Sequence, residues 1–338
     1  MTQSIDCPYC EGKAHLKKEW TTIHFRKIEF KAVAHFYKCI SCKESFTTTA
    51  SDQISLTQVH NQYREKFNIP FPEDMIALRE AYELSATKMS EVLGLGVNGF
   101  SNYENGEIPT PAFGNLINAA TSPATFLSLL KNAKVHFSEN GFKKVLEKAQ
   151  YFNQLGSIYN NINASINIFN IANNYTGYRK PDAKRIANLI VYFITNAIPE
   201  FNDKLKINKL LFFADFTHYK NHGKSISGLS YRAIKYGPVP SHYDNIYTYL
   251  ENEQIITAKF IKLHNGAVRE IFQLNAQYDD HMFSVAEKET LKLIHKKFSS
   301  TPTWDLVELS HDENAWKQLE SSKGLIGYQD YAFTIKSV

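Results

Sequence analysis

No run of eighteen apolar residues occurs anywhere in this 338-residue chain, so no membrane-spanning helix is expected. The opening residues, MTQSIDCPYC, lack the basic-then-apolar layout of a secretory signal, and a cytoplasmic protein without a membrane partner is the expectation. Cysteine is scarce and confined: there are four, none beyond position 42. In a reducing compartment that distribution favours a metal site over disulfides. Charge of one sign is also in short supply. A net of +4 from 38 basic and 34 acidic residues does not demand a nucleic-acid partner, so the local distribution has to decide. Hydrophobic content of 43% is enough for real cores, and the length suits two or three domains.

The four cysteines form two CxxC knuckles, Cys7-Pro8-Tyr9-Cys10 and Cys39-Ile40-Ser41-Cys42, separated by 28 residues. Each knuckle can place two thiolates on one ion, and two knuckles close a tetrahedral site. One structural Zn2+ is the expected cofactor, because zinc accepts four thiolates and a full set leaves no open position for catalysis. Between the knuckles, residues 21–36 alternate in a way that suggests a small β-sheet pinned at its base. The CPYC…CISC layout, followed by Phe46-Thr47 and a helix-turn-helix, resembles the amino half of MqsA-type antitoxins, with a YgiT-type zinc finger. In that family the finger contributes to toxin binding.

Residues 73–111 carry a second pattern. Leu78-Arg79-Glu80 leads to Met89-Ser90-Glu91-Val92-Leu93-Gly94, then to a tight turn and Val97-Asn98-Gly99-Phe100-Ser101-Asn102-Tyr103-Glu104-Asn105-Gly106. This resembles the Xre/Cro-type helix-turn-helix, including the closing YENG. The resemblance implies a third helix in the major groove of operator DNA, with Val97, Asn98 and Asn102 facing base edges and Lys88 among the DNA contacts. Asparagine can pair bidentately with adenine. The charge is unfavourable: Glu73, Asp74, Glu80, Glu83, Glu91, Glu104 and Glu107 stand against Arg79 and Lys88, a local net of −5. Phosphate neutralisation supplies most non-specific affinity. Arg64, Lys66, Lys131, Lys134, Lys143, Lys144 and Lys148 are the flanking cations that could compensate. The competing reading is a helix-turn-helix kept as a scaffold or for dimerisation. A homodimer is expected, since Xre-type readers pair on two-fold sites. Residues 123–152 read as two antiparallel helices, opened by Ser122-Pro123 and Ser138.

Residues 153–175 hold eight asparagines and no charged side chain. Asparagine competes with helix through its own side-chain bonds, so 153–177 reads as a linker. Beyond it Asp182 caps a helix with the apolar stripe Ala183, Ile186, Ala187, Ile190, Val191 and Ile194. A second amphipathic helix places Ile207, Leu210, Leu211, Ala214 and His218 on one face, with Asp203 before it and Asn221 and Gly223 at its end. Tyr231-Arg232-Ala233-Ile234 alternates like a strand. Tyr236-Gly237-Pro238-Val239-Pro240 sets a rigid corner whose two prolines lack donors, so the segment is not expected inside a sheet. Further on, 256–274 reads as two strands joined at Asn265-Gly266. Ser284 and Glu287 form a capping box, and a helix follows Pro302.

The run KLLFFADFTHYKNHG, then SISGL, then YGPVP, with LSH and Trp316 later, resembles the Panacea (SocA-like) antitoxin domain over about the last 160 residues. That resemblance implies neutralisation of a cognate toxin by direct binding and no catalysis. Tyr231, Tyr236, Pro238, His242 and Tyr243 concentrate aromatics around the corner and are the expected toxin-binding residues. Half of such residues belonging simply to the core is the bland alternative.

The expected architecture is multidomain and mainly α. It comprises a zinc-pinned β domain at 1–50, an all-α helix-turn-helix domain at 73–150, the 153–177 linker and an α+β domain at 178–338. The leading functional reading is an antitoxin of a type II toxin-antitoxin system, controlling its own operon through the helix-turn-helix. A phage-type transcription regulator or protease adaptor is the alternative. A third reading, a metallohydrolase using Asp215, His218 and His222 at i, i+3 and i+7, predicts a second bound metal. No nucleophile, phosphate loop or metal-ligand motif accompanies those three residues.

Overall fold

The computed structural model describes residues 2–158, 171–198, 202–262, 266 and 268–338. The central part of the asparagine-rich linker, 159–170, and Asn265 of the expected hairpin turn lie outside the described residues. The chain divides into two compact units, residues 1–59 with 162–338 and residues 60–161.

The first unit opens with an antiparallel sheet of β1 (Ser4–Asp6), β2 (Lys13–Phe25), β3 (Ile28–Cys39) and β4 (Ser45–Phe46), paired in that order. β2 and β3 form one long ribbon, from Ala14 opposite Cys39 to Phe25 opposite Ile28. It starts well before the residue-21 boundary expected from alternation. Its tip turns through Arg26 and Lys27, both at positive φ (47° and 66°), as a two-residue hairpin that matches strand twist requires.

Helix α1 (Thr49–Lys66) follows, an element the sequence does not announce. Its buried positions include Ser51, Ser55, Gln58, Asn61 and Arg64, so there is no apolar stripe to read. Those polar groups are instead used one by one. Ser55 Oγ accepts from His35 N–H at 3.0 Å. Gln58 pairs its amide with both backbone groups of Val33, at 2.8 and 2.9 Å, acting as a short substitute for a neighbouring strand.

In the C-terminal part, α8 (Ala183–Thr195) is capped by Asp182, and α9 (Lys204–His222) by Asp203, each accepting from the third residue on. Gly223 closes α9 at φ +70°. A side chain there would strike Thr57 Cγ2 at 2.8 Å as well as being strained. The α9 helix is buried nearly all round, from Lys206 to Tyr219. It is therefore the hub rather than the one-faced helix that the periodicity suggests. Around it lie β5 (Tyr231–Ile234), β6 (Gly237–Pro240), α10 (Tyr243–Asn252), the hairpin β7 (Ile256–Lys262) and β8 (Val268–Leu274), α11 (Val285–Phe298), α12 (Thr303–His311), α13 (Asn314–Leu319) and α14 (Tyr328–Tyr331). The Ser284/Glu287 capping box forms at the start of α11.

The proline corner corrects one expectation: residues 237–240 do form a strand, β6, antiparallel to β5. The physical reason is the alternation of donors. Ser241 N–H bonds to the Ser230 carbonyl at 2.8 Å, so the donors of 239 and 237 face β5 and the nitrogens of Pro238 and Pro240 face away. This is the one side of a two-stranded sheet on which proline costs nothing.

The second unit is all-α: α2 (Pro72–Ala81), α3 (Ala86–Leu93), α4 (Gly99–Glu104), α5 (Pro111–Ala119), α6 (Pro123–Asn132) and α7 (Glu139–Leu155). Its core gathers Met75, Leu78, Tyr82, Met89, Phe100, Phe126 and Leu130, with Tyr82 and Phe126 stacked at 3.6 Å. The expected 123–152 helix pair is α6 and α7.

Candidate metal centre and binding surfaces

The register of β1–β4 carries the two knuckles to one end of the sheet. Cys7 Sγ lies 3.7 Å from Cys42 Sγ and Cys10 Sγ lies 3.6 Å from Cys39 Sγ, and all four sulfurs fall within 4.8 Å of one another. A tetrahedron with zinc–sulfur bonds of about 2.3 Å has edges of about 3.8 Å, so the sulfur cage fits such an ion. Backbone donors support it: Gly12 N–H reaches Cys10 Sγ at 3.4 Å and Ser41 N–H reaches Cys39 Sγ at 3.3 Å. Gly12 is required by proximity, since a Cβ there would lie 2.4 Å from Ser41 Oγ. Among the described residues these four are the group with metal-ligating spacing. The four cysteines thus form a cage that could hold a metal ion.

Asp215, His218 and His222 do not make a comparable group. Asp215 is wholly buried and accepts from the N–H groups of Ile226 and Ser227 (both 2.8 Å), the Ser227 hydroxyl and Tyr231 OH (2.7 Å). Its role is to fasten the 225–231 loop onto α9. His218 bonds Thr290 through Nδ1 and stacks on His222 at 4.4 Å.

In the second unit, Ser85 caps α3 by accepting from Lys88 N–H, and Gly94 ends it at φ +66°. Ser90, fully buried, accepts from Phe100 N–H at 2.9 Å and so sets α4 against α3. Val97 is 70% exposed, and Asn98 and Asn102 are exposed at the start and middle of α4. The cations are differently placed. Lys88 is engaged by Glu91 (2.7 Å), by the His136 carbonyl and by the ring of Phe137. Arg64 is buried and donates to the carbonyls of Pro70, Gly106 and Glu107. Lys144 and Lys148 both pair with Glu83, at 2.8 and 2.5 Å, and hold its carboxyl down to about 2. Arg79, with Nε 2.6 Å from Glu104, clamps the YENG segment. Of the flanking cations, Lys66, Lys131, Lys134, Lys143 and Lys144 are exposed, with Lys134 Nζ over the ring of Phe142.

The aromatic corner also sorts by burial. Tyr231 and Pro238 belong to the interior: Tyr231 donates to Asp215, and the Pro238 carbonyl accepts from Lys209 Nζ at 2.8 Å. They support the corner rather than face a partner. Tyr236 is 45% exposed and meets Trp304, 61% exposed, edge to face at 5.9 Å. His242 and Tyr243 are partly exposed at the start of α10. Trp304 escapes sequence reading because it enters from α12, sixty-eight residues away.

Two lysines were equally illegible. Burial pulls Lys209 down to about 7, with its ammonium beneath Gly237; a Cβ at Gly237 would lie 2.9 Å from Nζ. Lys206 Nζ donates to the carbonyls of Ser299 (2.9 Å) and Thr301 (2.7 Å). Both use α9 to hold a loop by its backbone.

These features define a class: a mainly helical chain with a four-cysteine cage on a small antiparallel sheet, a helix-turn-helix unit and a C-terminal part built around the buried helix α9. Residues 5–118 match the family model for the antitoxin component of bacterial toxin-antitoxin systems, MqsA, and residues 207–317 match that of the SocA-like antitoxin Panacea domain. Over 107 residues the chain is 31% identical to Antitoxin MqsA of Escherichia coli (strain K12), a stretch that takes up 30% of this chain and 80% of that protein. The chain belongs to the MqsA antitoxin family, with a Panacea domain in its C-terminal half. Antitoxins of these families are generally not enzymes, and no helix among the described residues is long and apolar enough to cross a membrane.

Proposed function

We propose that this chain is the antitoxin of a type II toxin-antitoxin system. It neutralises the toxin encoded beside it by direct binding through the Panacea domain, and it represses its own operon as a dimer through α4. One structural zinc ion fills the four-cysteine cage. The observation that carries the reading is the exposed Tyr236–Trp304 pair, set on a corner whose backbone is fixed from below by Lys209. Large aromatics on a pre-ordered backbone bind with little further loss of freedom. His242 and Tyr243 extend the same surface.

For the DNA half, support comes from Asn98 and Asn102, exposed on a helix that Ser90 positions. With Lys88, Arg64, Lys144 and Lys148 engaged within the protein, phosphate contacts fall to Lys66, Lys131, Lys134 and Lys143, doubled by dimerisation. A shallow salt dependence is the expected consequence.

The test is growth rescue. The neighbouring gene is induced alone, with the full chain, and with the full chain carrying Tyr236→Ala and Trp304→Ala. Rescue by the wild-type chain and its loss in the double variant is expected. Unimpeded growth with the neighbouring gene alone, or rescue indifferent to the two substitutions, contradicts the proposal.

A further inference from the structure

The outer edge of the β7–β8 hairpin is open. β7 pairs with β8 alone, Ile256 opposite Leu274 through to Lys262 opposite Val268. Just before that register, Asn275 N–H bonds the Ile255 carbonyl at 2.9 Å. Ladder bonds alternate along an antiparallel pair. The backbone groups of Thr257, Lys259 and Ile261 therefore face β8, and those of Ala258, Phe260 and Lys262 face away. The far side of β8 obeys the same parity and is occupied. Phe272 N–H bonds the Asn202 carbonyl at 3.3 Å, and the Asn202 side-chain amide donates back to the Phe272 carbonyl. Nothing comparable covers β7: among the described residues no hydrogen bond from beyond the hairpin reaches the main chain of Ala258, Phe260 or Lys262.

The side chains along that edge specify what it accepts. Phe260 is 69% exposed and Ile261 45%, and the exposed Lys259 and Lys262 flank them. Neither lysine meets a carboxylate among the described residues. The nearby acids are taken: Glu270, opposite Phe260, pairs with Lys204 at 3.0 Å, and Asp203 holds Arg269 at 2.5 Å. A second copy of β7 is a poor occupant, because it brings two more lysines to the same edge. A strand with carboxylates opposite Lys259 and Lys262, and apolar side chains opposite Phe260 and Ile261, satisfies the edge in hydrogen bonds, apolar area and charge.

The edge also continues a surface described above. Arg269, cross-strand from Ile261, donates to Thr303 Oγ1 at 3.1 Å, and Trp304 is the next residue. On the other face of the hairpin, Lys204 spans Glu270 and Asp244, the residue after Tyr243. Both faces are thus tied to the segments that bear the Tyr236–Trp304 pair and Tyr243.

From this geometry we infer that β7 is a docking edge for the toxin, which lays an extended acidic segment along it as an added strand beside the aromatic anchors. The inference rests on the antitoxin reading and adds a main-chain mode of contact to it.

The experiment compares the full chain, free and with the purified neighbouring gene product, by calorimetry and by amide hydrogen exchange resolved to single residues. In the complex the amides of Ala258, Phe260 and Lys262 should exchange at least tenfold more slowly, while those of Thr257, Lys259 and Ile261, already bonded to β8, change less. Phe260→Pro removes an outward donor and no β7–β8 bond. That substitution and, separately, Lys259→Glu with Lys262→Glu should each weaken the complex at least tenfold with the melting temperature unchanged. The charge reversal should cost more at low than at high ionic strength. If the proline variant fails to fold, the charge reversal and the exchange measurement decide. Full affinity in either folded variant, or outward amides that exchange as fast in the complex as in the free chain, overturns the inference. The antitoxin reading survives that result where the Tyr236→Ala, Trp304→Ala variant still loses binding. Absence of any complex with the wild-type chain overturns both.

Discussion

Asp215 shows how a single side chain shapes the C-terminal domain. Burial pushes its carboxyl upward in pKa while four donors from Ile226, Ser227 and Tyr231 oppose that rise. Replacing it leaves those donors buried without an acceptor, at roughly 1–3 kcal/mol for each group that cannot find water. Asp215→Ala should therefore lower the thermal midpoint by more than about 10 °C, while its conservative neighbour Thr217→Ser moves it by a degree or two. A melt unchanged by Asp215→Ala would refute the structural role. From sequence, Asp215 looks like a candidate ligand alongside His218 and His222, because helical spacing places all three on one face. Spacing says nothing about which loop arrives to meet them. Tyr231 and Pro238 were hidden in the same way: an aromatic beside a rigid corner reads identically whether it props the corner or crowns it.

At the scale of elements, legibility follows how local the determinants are. The caps of α8, α9 and α11 rest on residues three apart, and the strands β7 and β8 pair across a short connection; sequence reading places these elements and the helix-turn-helix. Helix α1 rests on buried Ser55 and Gln58 meeting β3 some twenty to twenty-five residues away, and no periodicity reports it. The proline strand β6 rests on donor parity, which is visible only once β5 is beside it. Two predictions belong here. The cysteine cage should hold one zinc per chain by elemental analysis, and Cys39→Ser should lower metal affinity by at least tenfold and loosen β1–β4, seen as loss of amide protection around Ala14 and Cys39. Full protection in metal-free protein would count against a structural ion. For α4, Asn98→Ala with Asn102→Ala should weaken binding to the operon's own promoter about tenfold or more, at roughly 1–3 kcal/mol per lost base contact. Affinity for random DNA should stay nearly unchanged. Equal loss on both DNAs would assign these asparagines to the backbone, and no binding to either by the wild-type chain would favour the scaffold reading.

Across the larger unit, the finger sheet and the C-terminal domain share one interior. Gln58 Oε1, already bound to Val33, accepts from Gln329 Nε2 at 2.9 Å, and Gln329 Oε1 accepts from Tyr219 OH of α9 at 2.7 Å. Phe333 packs on both His35 (5.8 Å) and Tyr219 (6.1 Å). His35 and His218 are each kept neutral by burial, at about 4 and about 3, with Lys18 adding at the first and His222 at the second. Their pKa values are depressed relative to the unfolded chain, so between an ordinary value of 6.5 and the folded values the unfolded state binds more protons. Stability must then fall as pH drops from about 6.5 towards 4. The loss from these two histidines is on the order of 3–5 kcal/mol each once both are past their folded values. Thermal melts between pH 7.5 and 4.5 should show this decline, flattened in His35→Gln. A midpoint that rises on acidification would contradict it. The amide relay also explains why the full chain is the right reagent for functional assays: truncating before residue 178 removes the partner of Gln329.

In the proposed function, the Tyr236–Trp304 surface grips the toxin. The measurement that meets it most directly is the affinity of the purified neighbouring gene product for the full chain, taken side by side with the Tyr236→Ala, Trp304→Ala double variant of unchanged melting temperature. A defined stoichiometric complex with the wild-type chain is expected, weakened by at least a hundredfold in the variant, as when two anchors of about 2 kcal/mol or more are removed. Absence of any complex with the wild-type chain, or equal affinity in the two proteins, would contradict it.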